Sequence, residues 1–239
     1  MKPKKIKSEE DSNNSITPSF EFHDREFWEN FYKNRNPKVN NINWYFDITK
    51  INIDNFSLNL ISKEDEILLV GPGLSSILDY FHNKDYKKIT IYDFSETLIQ
   101  YLCEKYSKDW EIDCYDILDT NDSFGENYNI IIDKGCLDCI ISEPKKGQQN
   151  FIKAFNNLMS FLSEDGIFYY FSTASDRENL FQLSSKINCE ITKIDMNIDM
   201  ENQYKQFKKE EKKQDNYINH LLENFILAKY GKFKLYEYK

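Results

Sequence analysis

Side chains able to do chemistry gather at three places in the sequence. The first is Glu66-Ile67-Leu68-Leu69-Val70-Gly71-Pro72-Gly73-Leu74-Ser75-Ser76. Four apolar residues running into Gly-Pro-Gly bring bare backbone to a point that a ligand can approach. A helix starting there would add unpaired N–H groups. The second is a set of aspartates, Asp93, Asp116 and Asp133, each closing an apolar run. Asp93 stands 22 residues after Gly71, about the spacing at which an acid accepts hydrogen bonds from ribose hydroxyls. Such a charge-assisted bond is worth roughly 1.5–3 kcal/mol. Asp116 can accept from an adenine amino group. The third is Ile130-Ile131-Ile132-Asp133-Lys134-Gly135-Cys136-Leu137-Asp138, where two acids bracket a Lys-Gly turn.

Positioning these groups takes alternating strands and helices. Apolar runs predict strands at 67–70, 89–92, 110–115, 128–132, 167–171, 189–194 and 225–230. Leu74, Ile77, Leu78 and Phe81 fall on one face of a helix, as do Leu98, Ile99, Leu102 and Tyr106, and also Phe151, Ala154, Phe155, Leu158 and Leu162. Asp24 and Ser95 are expected N-caps. Ser175 and Glu178 have capping-box spacing, and Asp165-Gly166 is expected to stop the third helix. Residues 56–61 are expected to be helical. Each parallel crossover needs a helix-sized connection, so this alternation makes a mostly parallel α/β sheet. Ligands bind such sheets at the carboxyl ends of the strands, where Gly71 and the three aspartates stand. A pyrophosphate would want a third glycine, and Ser76 occupies that position. A cationic sulfonium tolerates an acid rim. The rim therefore favours S-adenosyl-L-methionine over a dinucleotide.

Composition narrows the setting. A chain of 239 residues with 40% hydrophobic residues can bury one α/β core. A net charge of -9 argues against a general nucleic-acid binder, which needs a basic footprint. Cys103, Cys114, Cys136, Cys139 and Cys189 are irregularly spaced, which fits reduced thiols in the cytoplasm. Lys2-Pro3-Lys4-Lys5 is an alternative nuclear address, and Glu9, Glu10 and Asp11 count against a mitochondrial presequence. No run reaches the roughly 20 apolar residues of a membrane span. Residues 1–20 are expected to be a polar, flexible tail. Residues 21–239 are expected to be one domain, its 21–62 segment an aromatic helical lid, with no metal site and a monomeric state. The charge-rich run at 201–215 is expected to be a solvated helix or loop.

The I-I-I-D-K-G-C-L-D segment resembles the acid-Lys-Gly-Thr-Leu/Trp-Asp segment of the seven-strand S-adenosylmethionine methyltransferases that modify lysines in proteins, such as elongation factor and citrate synthase. E-F-W-E-N-F-Y and N-W-Y-F are similar to aromatic elements ahead of the same domain. The resemblance runs with gaps over about 27–171. It implies a Rossmann-like seven-strand sheet, mostly parallel with the last strand antiparallel, and helices on both faces. It implies cofactor contacts at Trp28, Tyr32, Trp44, Gly71, Asp93, Phe94, Asp116, Ile117 and Lys134, with Gly73 completing the turn. The aromatics would cover the methionine end, and Ile117 would offer backbone contacts to adenine. Pro72, Leu74 and Cys136 depart from the family pattern, and Pro72 removes one N–H donor from the turn.

The expected activity is methyl transfer to a lysine of a protein substrate. A fold-retaining module without transfer activity and a small-molecule methyltransferase are the alternatives. Asp133, at its strand end, is expected to orient the amine or the cofactor. Asp138 is expected to cap the following helix or fix the turn. Cys136-x-x-Cys139 could be read as redox or zinc chemistry, but no further ligands keep metal spacing. Trp28 and Tyr32 could be plain core, and Lys134 a surface lysine.

Overall fold

A computed structural model describes residues 21–34, 43, 45–48, 57–119, 128–172, 177–183, 191–196 and 233–238. The strands are β1 (Ile67–Val70), β2 (Ile89–Asp93), β3 (Glu111–Cys114), β4 (Tyr128–Lys134), β5 (Leu162–Ser172), β6 (Ile191–Met196) and β7 (Phe233–Tyr238). The helices are α1 (Arg25–Lys33), α2 (Ser76–Asn83), α3 (Glu96–Tyr106), α4 (Cys136–Ile140), α5 (Gly147–Phe161) and α6 (Glu178–Gln182). Five parallel strands form the body of the sheet in the order β3-β2-β1-β4-β5, and β7 then β6 extend the β5 edge. β7 runs antiparallel to both of its neighbours.

Side chains alternate across each strand, so one apolar run feeds two cores. Ile67 and Leu69 face one layer with Ile89, Ile91, Ile130 and Ile132, packed under Trp28, Phe31, Leu78 and Leu102. Leu68 and Val70 face the other with Ile131 and Phe168, packed under Phe151, Phe155 and Leu158 of α5. All four β1 residues are buried, as a central parallel strand requires.

Local capping chemistry sets several boundaries. The Asp24 carboxylate accepts from Glu26 N at 3.1 Å, and Ser95 Oγ accepts from Leu98 N at 3.3 Å. Glu29 on α1 reaches across to cap α3, accepting from Glu96 N at 2.6 Å and Thr97 Oγ1 at 2.6 Å. These bonds dock α1 on α3.

The sequence reading needs correction at several described boundaries, and other expectations lie outside the described residues. Helix α5 ends at Phe161, and β5 starts at Leu162, ahead of Asp165-Gly166. The extra residues are absorbed where Tyr128 pairs with Leu162 but Ile130 pairs with Ile167, an irregularity of the bulge type. The last strand is Phe233–Tyr238, and the expected 225–230 strand lies outside the described residues. Of the expected 56–61 helix, Phe56 lies outside the described residues, Ser57–Leu60 is a 3-10 turn and Ile61 is not helical. Helix α6 follows Arg177 with no side-chain cap, and Ser175 lies outside the described residues. The expected tail (1–20), Cys189 and the charge-rich run (201–215) also lie outside them.

Candidate ligand-binding site

Sheet register assembles the site. Val70 pairs with Tyr92 on one side and with Asp133 on the other. The next residues in each strand, Gly71, Asp93 and Lys134, therefore meet at the carboxyl edge. The Gly71 N–H donates to Tyr92 O at 2.7 Å, which closes the turn against β2. A single cavity is lined by Gly71, Gly73, Asp93, Phe94, Asp116, Ile117 and Lys134, and α1 adds Trp28 and Tyr32. The sequence reading placed all nine in one site, and the fold brings them to one cavity. Trp44 lies outside the described residues.

Gly71 has φ +50, and a Cβ there would stand 2.7 Å from Cys136 Sγ and 2.8 Å from Cys136 Cβ. Its bareness is thus required by α4, which packs under the turn. The expected reason, a clear path for the ligand, takes second place to that contact.

Asp93 is buried, and its Oδ1 accepts from Ser95 N at 3.0 Å. Burial pushes its carboxyl up to about 7, while the N–H groups of Ser95 and Gly73 pull the other way. Asp116 turns its carboxylate to Leu118 N at 2.9 Å. The Ile117 carbonyl already accepts from Asn157 Nδ2 at 2.7 Å. Lys134 is buried, so the surface reading fails. Its Nζ donates to Ser75 Oγ at 3.1 Å and sits 4.9 Å from the Phe46 ring centre. Burial brings this amine down to about 7, against the pull of Asp47.

Neither Asp133 nor Asp138 lines the cavity. Asp133 is fully buried, and its two oxygens accept from Cys136 N and Leu137 N, both at 2.9 Å. This is the N-terminal cap of α4, the task that had been expected of Asp138. Burial, with Asp138 close by, pushes the Asp133 carboxyl up to about 7. Asp138 instead accepts from Tyr45 Oη at 2.7 Å, Tyr170 Oη at 2.6 Å and Ser172 Oγ at 2.7 Å. It also pairs with Arg177, Nε and Nη2 each at 3.0 Å.

The cavity residues that sequence reasoning missed include three with polar side chains, His23, Arg25 and Tyr45. His23 Nδ1 is buried without a hydrogen-bond partner. A single histidine in a polar stretch carries no sequence signal. Arg25 pairs with Glu96 at 3.5 Å and donates to Cys114 Sγ at 3.6 Å. Tyr45 stood beside the expected Trp44, so its signal was present and assigned one residue away.

Burial pushes the Cys136 thiol well up, which removes the thiolate that redox chemistry at Cys136-x-x-Cys139 would need. Among the described residues no group of three or more His, Cys, Asp or Glu side chains could hold a metal ion. Among them, no helix is long and apolar enough to cross a membrane.

The strand order and the glycine turn define a Rossmann-like methyltransferase fold. A TehB-like S-adenosylmethionine-dependent methyltransferase from Corynebacterium glutamicum superposes with a TM-score of 0.50, at 13% identity, over 76% of this chain and 83% of that one. The [4+2]-cyclase SpnF superposes with a TM-score of 0.53, at 13% identity, over 75% of this chain and 76% of that one. The fold is therefore shared with a protein named for a different reaction. In sequence, the chain resembles the eEF1A lysine and N-terminal methyltransferase of Danio rerio, 27% identical over 126 residues. That match covers 52% of this chain and 18% of the relative, so the chain spans about a fifth of its length. No family model matches the chain.

Proposed function

We propose that the protein is an S-adenosyl-L-methionine-dependent methyltransferase whose acceptor is a lysine amine of a protein. The observation that carries this reading is the cavity itself. It joins the Gly71 turn, the buried Asp93 carboxylate and the aromatic face of α1 at the carboxyl edge of a parallel sheet. The residues present fit the cofactor. Asp93 offers an acceptor for ribose hydroxyls, and the unpartnered His23 Nδ1 offers one more polar contact. Trp28 and Tyr32, stacked with centres 5.9 Å apart, present ring faces that suit a cation. Lys134 offers an amine near the N-terminus of α2 for an anionic group.

When bound, the cofactor supplies an electrophilic methyl group. The chain's own task is alignment, which can contribute roughly 7–11 kcal/mol to such a step. Asp93 and the glycine turn hold the donor, and the α1 aromatics exclude water from the reacting end. The acceptor amine must be neutral. A free lysine, with a pKa of about 10.4, is almost wholly protonated at neutral pH. The lysine acceptor is supported by the likeness to the eEF1A methyltransferase over half of this chain.

The test incubates purified protein with methyl-labelled cofactor and purified eEF1A, total cell protein, RNA or a small-molecule extract. Label on a protein lysine, located by mass spectrometry, is the expected result. Label only in RNA or small molecules overturns the acceptor class. Cofactor binding without transfer to any fraction leaves a binding module. Rate against pH separates amines: a lysine acceptor gives a rate still rising above pH 9, whereas an α-amino group levels off near its pKa of about 8.

A further inference from the structure

Tyr45 has φ +70, a left-handed backbone that a bulky side chain adopts only when its surroundings hold it there. Contacts at its ring and at its hydroxyl help to hold it. The ring lies against the Lys134-Gly135-Cys136 turn, where a Cβ on Gly135 would stand 3.0 Å from Tyr45 Cε2. Gly135 itself has φ +97, so the bare residue allows both the turn and the close approach. The hydroxyl reaches past the turn to Asp138, 93 residues away in the chain, at 2.7 Å.

Asp138 is placed to be a fixed anchor. It is 6% exposed. Its other donors come from two further parts of the chain: Tyr170 and Ser172 on β5, and Arg177 ahead of α6. A carboxylate can accept from all of them, whereas an amide would turn two N–H groups toward donors. The Tyr45 hydroxyl is thereby held by a carboxylate outside the cavity lining, while Tyr45 itself lines the cavity together with Gly135, Cys139 and Ile140. Burial and the nearby Asp138, then Cys139, push the Tyr45 phenol well up, so it remains a donor.

We propose that the Tyr45–Asp138 hydrogen bond latches Tyr45 in the cavity wall, with Asp138 as the positioning residue that fixes that wall on the Cys139 side. The latch stands on the geometry alone; only its kinetic consequence rests on the methyltransferase reading.

Asp138→Asn disturbs every donor at once and threatens folding, so Tyr45→Phe is the working variant. It keeps the ring and removes one hydrogen bond. Ser172→Ala is the control, because it removes a different donor from the same Asp138 oxygen. Full-length wild type and both variants are treated with N-ethylmaleimide, and labelling of each cysteine is followed by peptide mass spectrometry. Tyr45→Phe is expected to speed labelling of Cys139 at least fivefold, with Cys103 and Cys114 within twofold of wild type. Ser172→Ala is expected to leave Cys139 within twofold. Unchanged Cys139 labelling in Tyr45→Phe overturns the latch. Equal acceleration by Ser172→Ala also overturns it, because that result means general loosening.

The kinetic arm measures methyl transfer to eEF1A at saturating cofactor. Tyr45→Phe is expected to lower turnover at least fivefold, with cofactor Kd within threefold. Wild-type turnover in Tyr45→Phe overturns the positioning role. If wild type transfers methyl to none of the acceptor fractions while Cys139 labelling responds as expected, the methyltransferase reading fails and the latch stands.

Discussion

At the residue scale, the ribose contact proposed for Asp93 would tie ligand binding to pH. Burial raises its carboxyl to about 7, so near neutrality it is partly protonated before a ligand arrives. Ribose hydroxyls donate to the ionised form, which must therefore be present for the full bond. Binding of S-adenosylhomocysteine should accordingly tighten several-fold from pH 6 to pH 8 and then level off, with a proton released. Calorimetry in two buffers of different ionisation enthalpy reads both effects. Asp93→Asn should bind more weakly and show a flat profile; a variant with the wild-type pH slope would place the titrating group elsewhere. Gly71 gives a second residue-scale result. With Cys136 only 2.7 Å from its added Cβ and φ at +50, Gly71→Val should lower stability sharply. A thermal melt matching wild type would contradict the packing argument. The spacing of Gly71, Asp93 and Asp116 was legible in the sequence because each stands at a strand end. The tasks of Asp133 and Asp138 were not, because both lie in one short motif and differ only in partners. Cys136 and Leu137 N–H groups are local to Asp133, whereas Tyr45 and Tyr170 reach Asp138 from distant parts of the chain.

At the element scale, α1 matters through its docking. Its aromatic face forms part of the cavity, and Glu29 fixes that face by capping α3 from outside the helix. An N-cap interaction is worth roughly 1 kcal/mol. Glu29→Ala should cost about that much in stability and speed amide exchange in α1, while β1 and β4 exchange at wild-type rates. Uniform acceleration across the sheet would mean that Glu29 supports the whole fold. The α1 helix was readable from Asp24 and the Phe27, Trp28, Phe31, Tyr32 spacing, since cap and periodicity are local. Its partner was not, because a glutamate in a helix has no sequence mark of the N-terminus that it will cap. The α5–β5 junction was misplaced for a similar reason. Asp165-Gly166 looks like a stop signal, yet pairing of Leu162 with Tyr128 takes the chain into the sheet earlier.

At the scale of the whole molecule, the carboxyl edge of the sheet buries ionisable groups where folding disfavours their charge. Burial pushes the Asp133 carboxyl up to about 7 in the folded chain, well above an ordinary aspartate. An unfolded aspartate loses its proton near pH 4 and the folded one holds it until about 7. Between those values the folded state binds more protons, so stability from this group is complete below pH 4 and is lost as pH rises to 7. Lys134 has the opposite sense. Its amine is lowered to about 7, so its contribution is complete above about pH 10.5 and is lost as pH falls to 7. Asp93, raised to about 7, adds to the acid side. The site therefore weakens the fold most near neutrality, where opposite shifts meet. Melting curves of wild type and Asp133→Asn across pH 4–9 test this. The variant loses an ideal cap for α4, so it should melt below wild type at pH 4. The gap should narrow steadily up to pH 7, because only wild type must then ionise a buried acid, and should stay constant above it. A gap that widens from pH 4 to pH 7 would mean that Asp133 is ionised throughout and that its two N–H partners outweigh its burial.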